Sequence, residues 1–276
     1  MTTFGARLDA AVAQRGRLCV GIDPHAALLA QWGLGDDIAG LERFAMTAVE
    51  ALAPVASVLK PQSAFFERHG SRGIAVLERV VAHAREAGAL VLLDVKRGDI
   101  DSTSQAYADA YLDPASPLAC DAITASPFLG FGSLDPMIAT ARSHDAGVFV
   151  LALTSNPQGP EVQHARVGER TVAGVVLDHL RTLNAEEGGA GFGSYGAVVG
   201  ATIAPTTEDL DFGGPILAPG FGAQGGTVAD MQRVFGSASR WVLPSASRSV
   251  LGAGPDPVRL RDAALRDNDA VAVLGQ

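Results

Sequence analysis

The chain alternates short apolar runs with amphipathic segments along nearly its whole length, and this alternation is the feature that most constrains its fold. The apolar runs predict eight strands, and segments such as residues 74–81 carry apolar side chains at helical spacing between them. The predicted strands are residues 18–22, 57–59, 90–93, 122–124, 148–153, 197–200, 216–218 and 241–243. Strands that alternate with helices pair in parallel, because each return to the sheet needs a crossover connection.

The number and composition of these units favour a closed (β/α)8 barrel, the TIM barrel. The strands are apolar throughout, as expected for parallel strands that are covered on both faces. Eight units fit in about 250 residues, so we predict a single barrel domain over residues 1–276. The alternative is an open doubly wound sheet, which usually has fewer strands at this length. We also predict a short helix at residues 206–210 and a rim or lid loop at residues 155–160.

Charge and composition limit the partners and the compartment. A formal net charge of −9 and the scattering of basic residues argue against nucleic acid as a partner. We expect no signal peptide and no membrane span, because no apolar run approaches the roughly 18 residues that a span requires. Cys19 and Cys120 both lie in apolar, strand-like runs. They are therefore predicted to be buried thiols of a cytoplasmic protein.

Lysine is rare in this chain, and its positions are informative. There are two lysines, Lys60 and Lys96, against nineteen arginines, and both follow the apolar run of a predicted strand. An arginine is permanently charged, whereas a lysine ammonium is a compact charge that can give up a proton. Lysine at these two positions therefore indicates sites that need proton transfer or a point charge, although chance placement is the alternative.

The segment after the third predicted strand carries the most chemistry. In an extended strand, residues i and i+2 face the same side, so Asp94 and Lys96 can both point into the mouth of the barrel, where active sites of this fold lie. Gly98 then allows a turn that brings Asp99 towards the site or towards a neighbouring subunit. An ammonium among carboxylates keeps its charge, which argues against a Schiff-base nucleophile. It favours a lysine that protonates a carbanion or stabilises an anion, with a structural ion pair as the alternative.

The residues that follow predict the start of the next helix. Ser102 and Gln105 match the Ser-x-x-Gln capping box, so Ser102 is expected to cap that helix. Thr103 could contact substrate, but its spacing alone does not decide this.

The glycine-rich segment after the seventh predicted strand suggests a phosphate loop. Residues 220–225 match G-x-G-x-x-G, but the next strand ends without the carboxylate that a dinucleotide site requires. Barrels often hold phosphate with the loops after strands seven and eight. Gln224 could add a donor there and Arg248 a bidentate clamp, with an ordinary surface arginine as the alternative. The six histidines show no metal-ligand spacing, so we predict no metal site.

Taken together, these motifs resemble those of the orotidine 5'-phosphate decarboxylase family, in its branch of longer bacterial-type enzymes. The matching segments are residues 20–25 (VGIDPH), 59–67 (LKPQSAFFE), 94–100 (DVKRGDI), 124–130 (TASPFLG), 154–157 (TSNP), 219–226 (PGFGAQGG) and 246–248 (ASR). The D-x-K-x-x-D motif alone is shared with sugar-phosphate synthases of the same superfamily. The whole set in this order is more specific.

The resemblance implies the decarboxylation of orotidine 5'-monophosphate to UMP without a metal or cofactor. By position, Lys96 resembles the family's proton donor to C6 of the pyrimidine. Asp94 would lie near the departing carboxylate, and Lys60 and Asp94 would hold Lys96 in place. Asp99 would complete the catalytic group.

The resemblance also implies binding roles and a homodimer. Asp23 and Lys60 would bind the ribose hydroxyls, Ser155 the pyrimidine, and Gln224 and Arg248 the phosphate. A separate set, Asp99, Ile100 and Thr103, is similar to residues that family members contribute across a dimer interface. Val95 and Asp101 stand where this branch more often has small residues, which affects the expected subunit packing more than the chemistry.

Two other functions fit parts of the pattern. A magnesium-dependent sugar-phosphate synthase or epimerase on the same barrel would share the short motif and would need a divalent cation. A nucleotide-binding barrel that acts as a sensor would bind its ligand without releasing CO2.

Overall fold

Eight parallel strands close into a barrel in the computed structural model, which describes residues 2–222 and 225–275. The barrel strands are β1 (Cys19–Ile22), β2 (Val58–Pro61), β3 (Leu90–Arg97), β4 (Ala122–Ala125), β5 (Gly147–Leu153), β8 (Tyr195–Val199), β9 (Ile216–Pro219) and β10 (Val242–Ala246). Each strand pairs with the next along the chain, and β1 pairs with both β2 and β10, which closes the barrel. The (β/α)8 fold predicted from the sequence is confirmed.

Helices follow most strands and cover the outside of the barrel. The α-helices are α1 (Phe4–Arg15), α2 (Ala26–Gln31), α3 (Ile38–Leu52), α4 (Ala64–Glu67), α5 (Gly70–Glu86), α6 (Asp101–Leu112), α7 (Asp135–Ser143), α8 (Gly159–Gln163), α9 (Val172–Glu187), α10 (Val228–Phe235), α11 (Arg248–Leu251) and α12 (Pro257–Val271). Short 3-10 helices span Phe131–Leu134, Gly236–Trp241 and Ala272–Gly275. None of the helices in the described part of the chain has the length and apolar character to cross a bilayer.

The two faces of each strand belong to two separate hydrophobic clusters. In β3, Val91 and Leu93 pack outwards against helices, whereas Leu90 and Leu92 belong to the cluster inside the barrel. Helix α1 closes the bottom of the barrel, where the Phe4 ring meets Phe149 edge to face at 6.0 Å. The interior cluster comprises Phe4, Leu8, Cys19, Val58, Leu90, Leu92, Ala122, Phe149, Phe192, Val198, Leu217 and Leu243. Because apolar side chains fill the lower part of the barrel, inward-facing polar groups lie at its C-terminal mouth.

The inward face of the strands continues from this apolar floor into the mouth. Residues two positions apart in a strand face the same side. In several strands, the residue two positions after the last apolar interior residue has a polar side chain. Val58 is followed by Lys60, Leu92 by Asp94, Ala122 by Thr124 and Leu243 by Ser245. The barrel therefore places polar groups from different strands at one level above its apolar floor.

The insertion after β5 forms its own small structure at the rim. Residues 155–160 lead into α8 and then into an antiparallel hairpin of β6 (Arg166–Val167) and β7 (Arg170–Thr171). The hairpin is attached to the loop after β8, because the Thr171 hydroxyl donates to Glu208 at 2.7 Å. This segment borders the mouth of the barrel on the β5 side.

The helix predicted at residues 206–210 is wrong, because this part of the loop between β8 and β9 is irregular. Short polar side chains bond to nearby backbone groups there, and such bonds compete with a helix. Thr206 Oγ1 accepts from the backbone N–H of Glu208 at 3.1 Å, and Asp209 Oδ1 accepts from that of Asp211 at 3.0 Å.

Candidate active site

A cavity of about 520 Å3 opens at the C-terminal ends of the barrel strands. This volume lies within the usual range for small-molecule sites, which is about 300–1,000 Å3. It brings together six of the residues predicted from the sequence: Asp23, Lys60, Asp94, Lys96, Ser155 and Arg248. They come from the residue after β1, from β2 and β3, from the loop after β5 and from the start of α11.

The centre of the site is a buried carboxylate between two ammonium groups. Lys60 Nζ donates to Asp94 Oδ2 at 3.1 Å, and Lys96 Nζ donates to Asp94 Oδ1 at 2.6 Å. The Thr124 hydroxyl donates to the same Oδ1 at 2.8 Å. Asp23 Oδ1 lies 4.0 Å from Lys60 Nζ on the other side. Charge therefore alternates Asp23, Lys60, Asp94, Lys96 across the mouth.

Burial and charge act in opposite directions on the pKa values of this array. Burial raises the pKa of the Asp94 carboxyl, but the two ammonium groups and the hydrogen bonds lower it more, so it lies well below its usual value. Burial lowers the pKa of the Lys60 ammonium, but Asp94 and Asp23 raise it above its usual value. Asp94 and Lys60 are therefore both charged at neutral pH despite being almost fully enclosed.

The two lysines differ in how far they are exposed. Both lysines line the cavity, but the Lys60 side chain is only 7% exposed, whereas the Lys96 side chain is 46% exposed. Lys60 is thus a largely buried positive charge in the wall of the cavity. Lys96 presents its ammonium to the open cavity, where a ligand would lie.

Lys96 reaches the cavity through an irregular strand and not through the simple alternation assumed from the sequence. Its φ is +46°, a backbone conformation that non-glycine residues adopt rarely. The pairing of β3 with β4 shifts register at this point. Arg97, the next residue, turns away from the cavity and pairs with Glu67.

Three predicted site residues lie outside the cavity of this chain. Ile100 is the residue before α6 and is 53% exposed, and Thr103 in the first turn of that helix is also exposed. Asp99 Oδ1 accepts from the backbone N–H of Ile100 at 2.8 Å. The chain therefore exposes Ile100 and Thr103 beside the mouth, with Asp99 half-buried next to them. Gln224, predicted to bind phosphate, lies outside the described residues.

The capping role expected for Ser102 is wrong. Helix α6 begins at Asp101, and the Ile100 carbonyl accepts from the N–H groups of Thr103 and Ser104, so Ser102 is already inside the first turn. Gln105 does not complete a capping box either, because its side-chain amide donates to Asp109 and Thr140.

The loops after β9 and β10 also border the cavity. Gly220 and Gly222 have positive φ values of 110° and 73°, which suit glycine. The Gly226 N–H donates to the Gly220 carbonyl at 3.0 Å, so the ends of this loop lie close together. Arg248 borders the cavity at the start of α11. The segment predicted as a phosphate loop therefore flanks the same cavity as the charged array.

Several lining residues lie at the predicted strand ends or in the quoted motifs, but sequence reasoning gave them no role. They are His25, Gln62, Thr124, Thr154, Asn156, Ser245 and Ser247. Within the described part of the chain, Asp23 Oδ1 and Ser247 Oγ are buried without a hydrogen-bond partner. Buried polar atoms are costly without a partner, so both atoms are suited to bind a ligand. The apolar wall of the cavity includes Leu151, Val198 and Leu217.

The described residues contain no group of three or more His, Cys, Asp or Glu side chains placed to hold a metal ion. Both oxygens of Asp94 already accept hydrogen bonds from ammonium or hydroxyl groups. Lys96 and Arg248 bring cationic groups to the cavity, which suits an anionic ligand.

The fold and site define a (β/α)8-barrel enzyme with a lysine–aspartate array at its mouth, and comparison with known proteins identifies the family. The model of the orotidine 5'-phosphate decarboxylase / HUMPS family matches residues 16–263. The curated orotidine 5'-phosphate decarboxylase of Nocardioides sp. is 71% identical over 273 residues, which cover 98% of each chain. That of Streptomyces coelicolor is 60% identical over 268 residues, covering 96% of each chain.

Solved structures agree with this match. A crystal structure from Streptomyces avermitilis has a TM-score of 0.96 at 58% identity and covers 100% of this chain and 96% of that one. Leishmania donovani OMP decarboxylase has a TM-score of 0.74 at 31% identity, covering 99% and 98% of the two chains. The chain belongs to the orotidine 5'-phosphate decarboxylase family, as the sequence motifs indicated, and is an enzyme of the carboxy-lyase class.

Proposed function

We propose that this enzyme decarboxylates orotidine 5'-monophosphate to UMP, the last step of de novo pyrimidine nucleotide synthesis, without a metal or cofactor. The observation that carries the proposal is the fixed array of Lys60, Asp94 and Lys96 at the mouth of a nucleotide-sized cavity. Membership of the family supports it, since curated relatives that match almost the whole chain carry this activity in their names.

In the proposed reaction, Lys96 supplies the proton. The bond between C6 of the pyrimidine and the carboxylate carbon breaks, CO2 leaves, and the electron pair stays on C6. The Lys96 ammonium donates a proton to C6, and the resulting amine regains a proton from solvent. A preorganised cation next to the developing carbanion lowers the barrier, because it needs no reorganisation during the reaction.

Asp94 is suited to a second role beside the substrate carboxylate. The low pKa of Asp94 keeps it ionised, so it would repel a bound carboxylate more strongly than the neutral CO2 that leaves. An interaction that becomes less unfavourable along the reaction favours the transition state over the bound substrate. Lys60 donates a hydrogen bond to Asp94 and so holds its carboxylate in place.

We assign the remaining lining groups to binding of the nucleotide. Asp23 and Lys60 would bind the ribose hydroxyls, and the unpartnered Asp23 Oδ1 supports this because it can accept a hydroxyl proton. Ser155 would contact the pyrimidine. Arg248 would bind the phosphate from the rim of the cavity after β10. Gln224, which lies outside the described residues, would bind the same phosphate.

The proposed active unit is a homodimer in which Asp99, Ile100 and Thr103 enter the partner's site. In a single chain these residues lie on the surface beside the mouth. Exposed apolar side chains accompany them on the neighbouring loop, where Phe128 is 75% and Leu129 is 53% exposed. Apolar side chains clustered at the surface are typical of protein interfaces.

Mixing two inactive variants tests the shared site. Lys96→Ala and Asp99→Ala should each be inactive alone, but a mixed dimer would contain one site with both native residues. After unfolding and refolding together, random pairing should restore about a quarter of wild-type activity, since half of the dimers carry one intact site of two. No recovery from a mixture that forms mixed dimers would contradict the shared site.

The decisive test of the function is UMP formation by the wild-type enzyme after exhaustive chelation. We expect orotidine 5'-monophosphate to lose its absorbance and release CO2 at the same rate with and without EDTA. Loss of activity with EDTA, restored by Mg2+, would favour the sugar-phosphate enzyme of the same superfamily. Ligand binding without CO2 release would favour a sensor.

A further inference from the structure

The pairing of β3 with β4 contains a bulge directly at the catalytic segment. Leu93 lies opposite Ile123, and Arg97 lies opposite Ala125. Three residues of β3, at positions 94–96, therefore face the single residue Thr124 of β4. A bulge of this kind interrupts the ladder of backbone hydrogen bonds, so the extra residues need other partners.

The Thr124 side chain supplies these partners. Its hydroxyl oxygen accepts from the backbone N–H of Lys96 at 2.9 Å, and its O–H donates to Asp94 Oδ1 at 2.8 Å. A hydroxyl has one proton to donate and two lone pairs, so both bonds form at once. Thr124 is 1% exposed, so water has little access to compete for them.

The Thr124 hydroxyl therefore contacts the Lys96 backbone directly and the Lys96 ammonium through Asp94. The Lys96 backbone, in the uncommon left-handed conformation, is held directly by Thr124. Its ammonium donates a hydrogen bond to Asp94 Oδ1, the same oxygen that accepts a hydrogen bond from the Thr124 hydroxyl. Uncommon backbone conformations persist when the surrounding contacts hold them.

We propose that Thr124 is a positioning residue for Lys96, whose hydroxyl fixes the lysine backbone relative to the Asp94 carboxylate. The catalytic consequence rests on the proposed function of Lys96 as proton donor. Without the hydroxyl, the Lys96 backbone loses its anchor, and the ammonium is no longer held in one position relative to the Asp94 carboxylate. Proton transfer depends steeply on position, whereas binding of the nucleotide is spread over many groups. The effect therefore falls on kcat and leaves ligand affinity nearly unchanged.

Three substitutions separate the hydroxyl from the rest of the side chain. Thr124→Val keeps the shape and removes the hydroxyl, whereas Thr124→Ser keeps the hydroxyl. Thr140→Val is the matched control, because Thr140 is also buried and hydrogen-bonded but lies on α7 outside the cavity. We expect Thr124→Val to lower kcat at least about tenfold, with the UMP dissociation constant within about threefold of wild type. Thr124→Ser and Thr140→Val should keep kcat within about threefold.

The scarcity of lysine gives a second readout that needs no turnover. Labelling with 15N-lysine produces two lysine amide signals, from Lys60 and Lys96, and a Lys96→Arg variant identifies them. We expect the Lys96 amide proton to exchange with solvent at least about tenfold faster in Thr124→Val than in wild type, because its acceptor is gone. The rate should be unchanged in Thr124→Ser. If valine prevents folding, Thr124→Ala removes the same hydroxyl with less steric demand.

The two readouts separate this proposal from the proposed function. If the wild-type enzyme released no CO2 from orotidine 5'-monophosphate, the proposed function would fail, and amide exchange would still test the anchor. If Thr124→Val matched wild type in either kcat or Lys96 exchange while wild type turned over, the positioning role would be overturned. An equal loss of kcat in Thr124→Ser would overturn it too, since the hydroxyl would then be irrelevant.

Discussion

Replacing Asp94 by asparagine should destabilise the protein strongly, because it leaves a buried ammonium without its main partner. The Lys60 side chain is 7% exposed and lies 3.1 Å from Asp94, and the other carboxylate near it, Asp23, is 4.0 Å away. Removing one member of a buried ion pair costs about 3–5 kcal/mol, because the remaining charge stays desolvated and uncompensated. We expect the free energy of unfolding to fall by about this amount in Asp94→Asn. Asparagine is nearly isosteric, so the loss would come from charge.

Urea unfolding at pH 7, followed by far-UV circular dichroism, measures this loss. Protein concentration must be held fixed, because the stability of the proposed dimer would depend on it. Asp178→Asn is the matched control, since Asp178 pairs with Arg170 and Arg181 but is 44% exposed, and it should cost about 1 kcal/mol or less. If Asp94→Asn were no more destabilising than Asp178→Asn, the buried array would not be held by charge as described.

Three further outcomes follow from the site and the core. Arg248→Ala should raise KM for the phosphorylated substrate roughly tenfold or more, with little change in kcat, because this is the loss expected for hydrogen bonds to a charged group. Arg259→Ala, on the exposed start of α12, should change neither KM nor kcat. An unchanged KM in Arg248→Ala would show that Arg248 does not bind the phosphate. The folded-state pKa of Asp94 is lowered, so its contribution to stability is present above the unfolded pKa of about 4 and is lost as pH falls towards the folded value. Wild type should therefore lose more stability than Asp94→Asn between about pH 5 and pH 2. Parallel plots of stability against pH, measured by urea unfolding, would contradict this. Burial raises the pKa of both Cys19 and Cys120 to about 12, so neither thiol should react with a thiol reagent at pH 8 until the protein is unfolded, and rapid labelling of the native enzyme would contradict their burial.

The sequence predicts the barrel well because the eight strands and their order depend on periodic apolar patterns. It also predicts Lys60 and Asp94 at the mouth, since both follow an interior residue by two positions on the same strand face. The same rule applied to Ala122 and Leu243 would have found Thr124 and Ser245. The sequence alone gives these two no role, because threonine and serine in an apolar run resemble ordinary strand residues.

The bulge in β3 could not be predicted from the chain. A period of two places Asp94 and Lys96 on the same face of an extended strand, but the register of β3 depends on pairing with β4, which is distant in sequence. The interpretation of Ser102 as a cap was wrong because α6 begins one residue earlier, at Asp101, with Ile100 at the N-cap and no side-chain cap. Residues exposed beside the mouth, such as Ile100, gain a role only when a second chain is considered.

The most direct test of the account is turnover by Lys96→Ala. Loss of orotidine 5'-monophosphate absorbance should be abolished in this variant under conditions in which wild type consumes the substrate completely. Calorimetry should show that the variant still binds UMP, because the ribose and phosphate contacts remain. Appreciable turnover by Lys96→Ala, with UMP binding intact, would contradict the assignment of Lys96 as the proton donor.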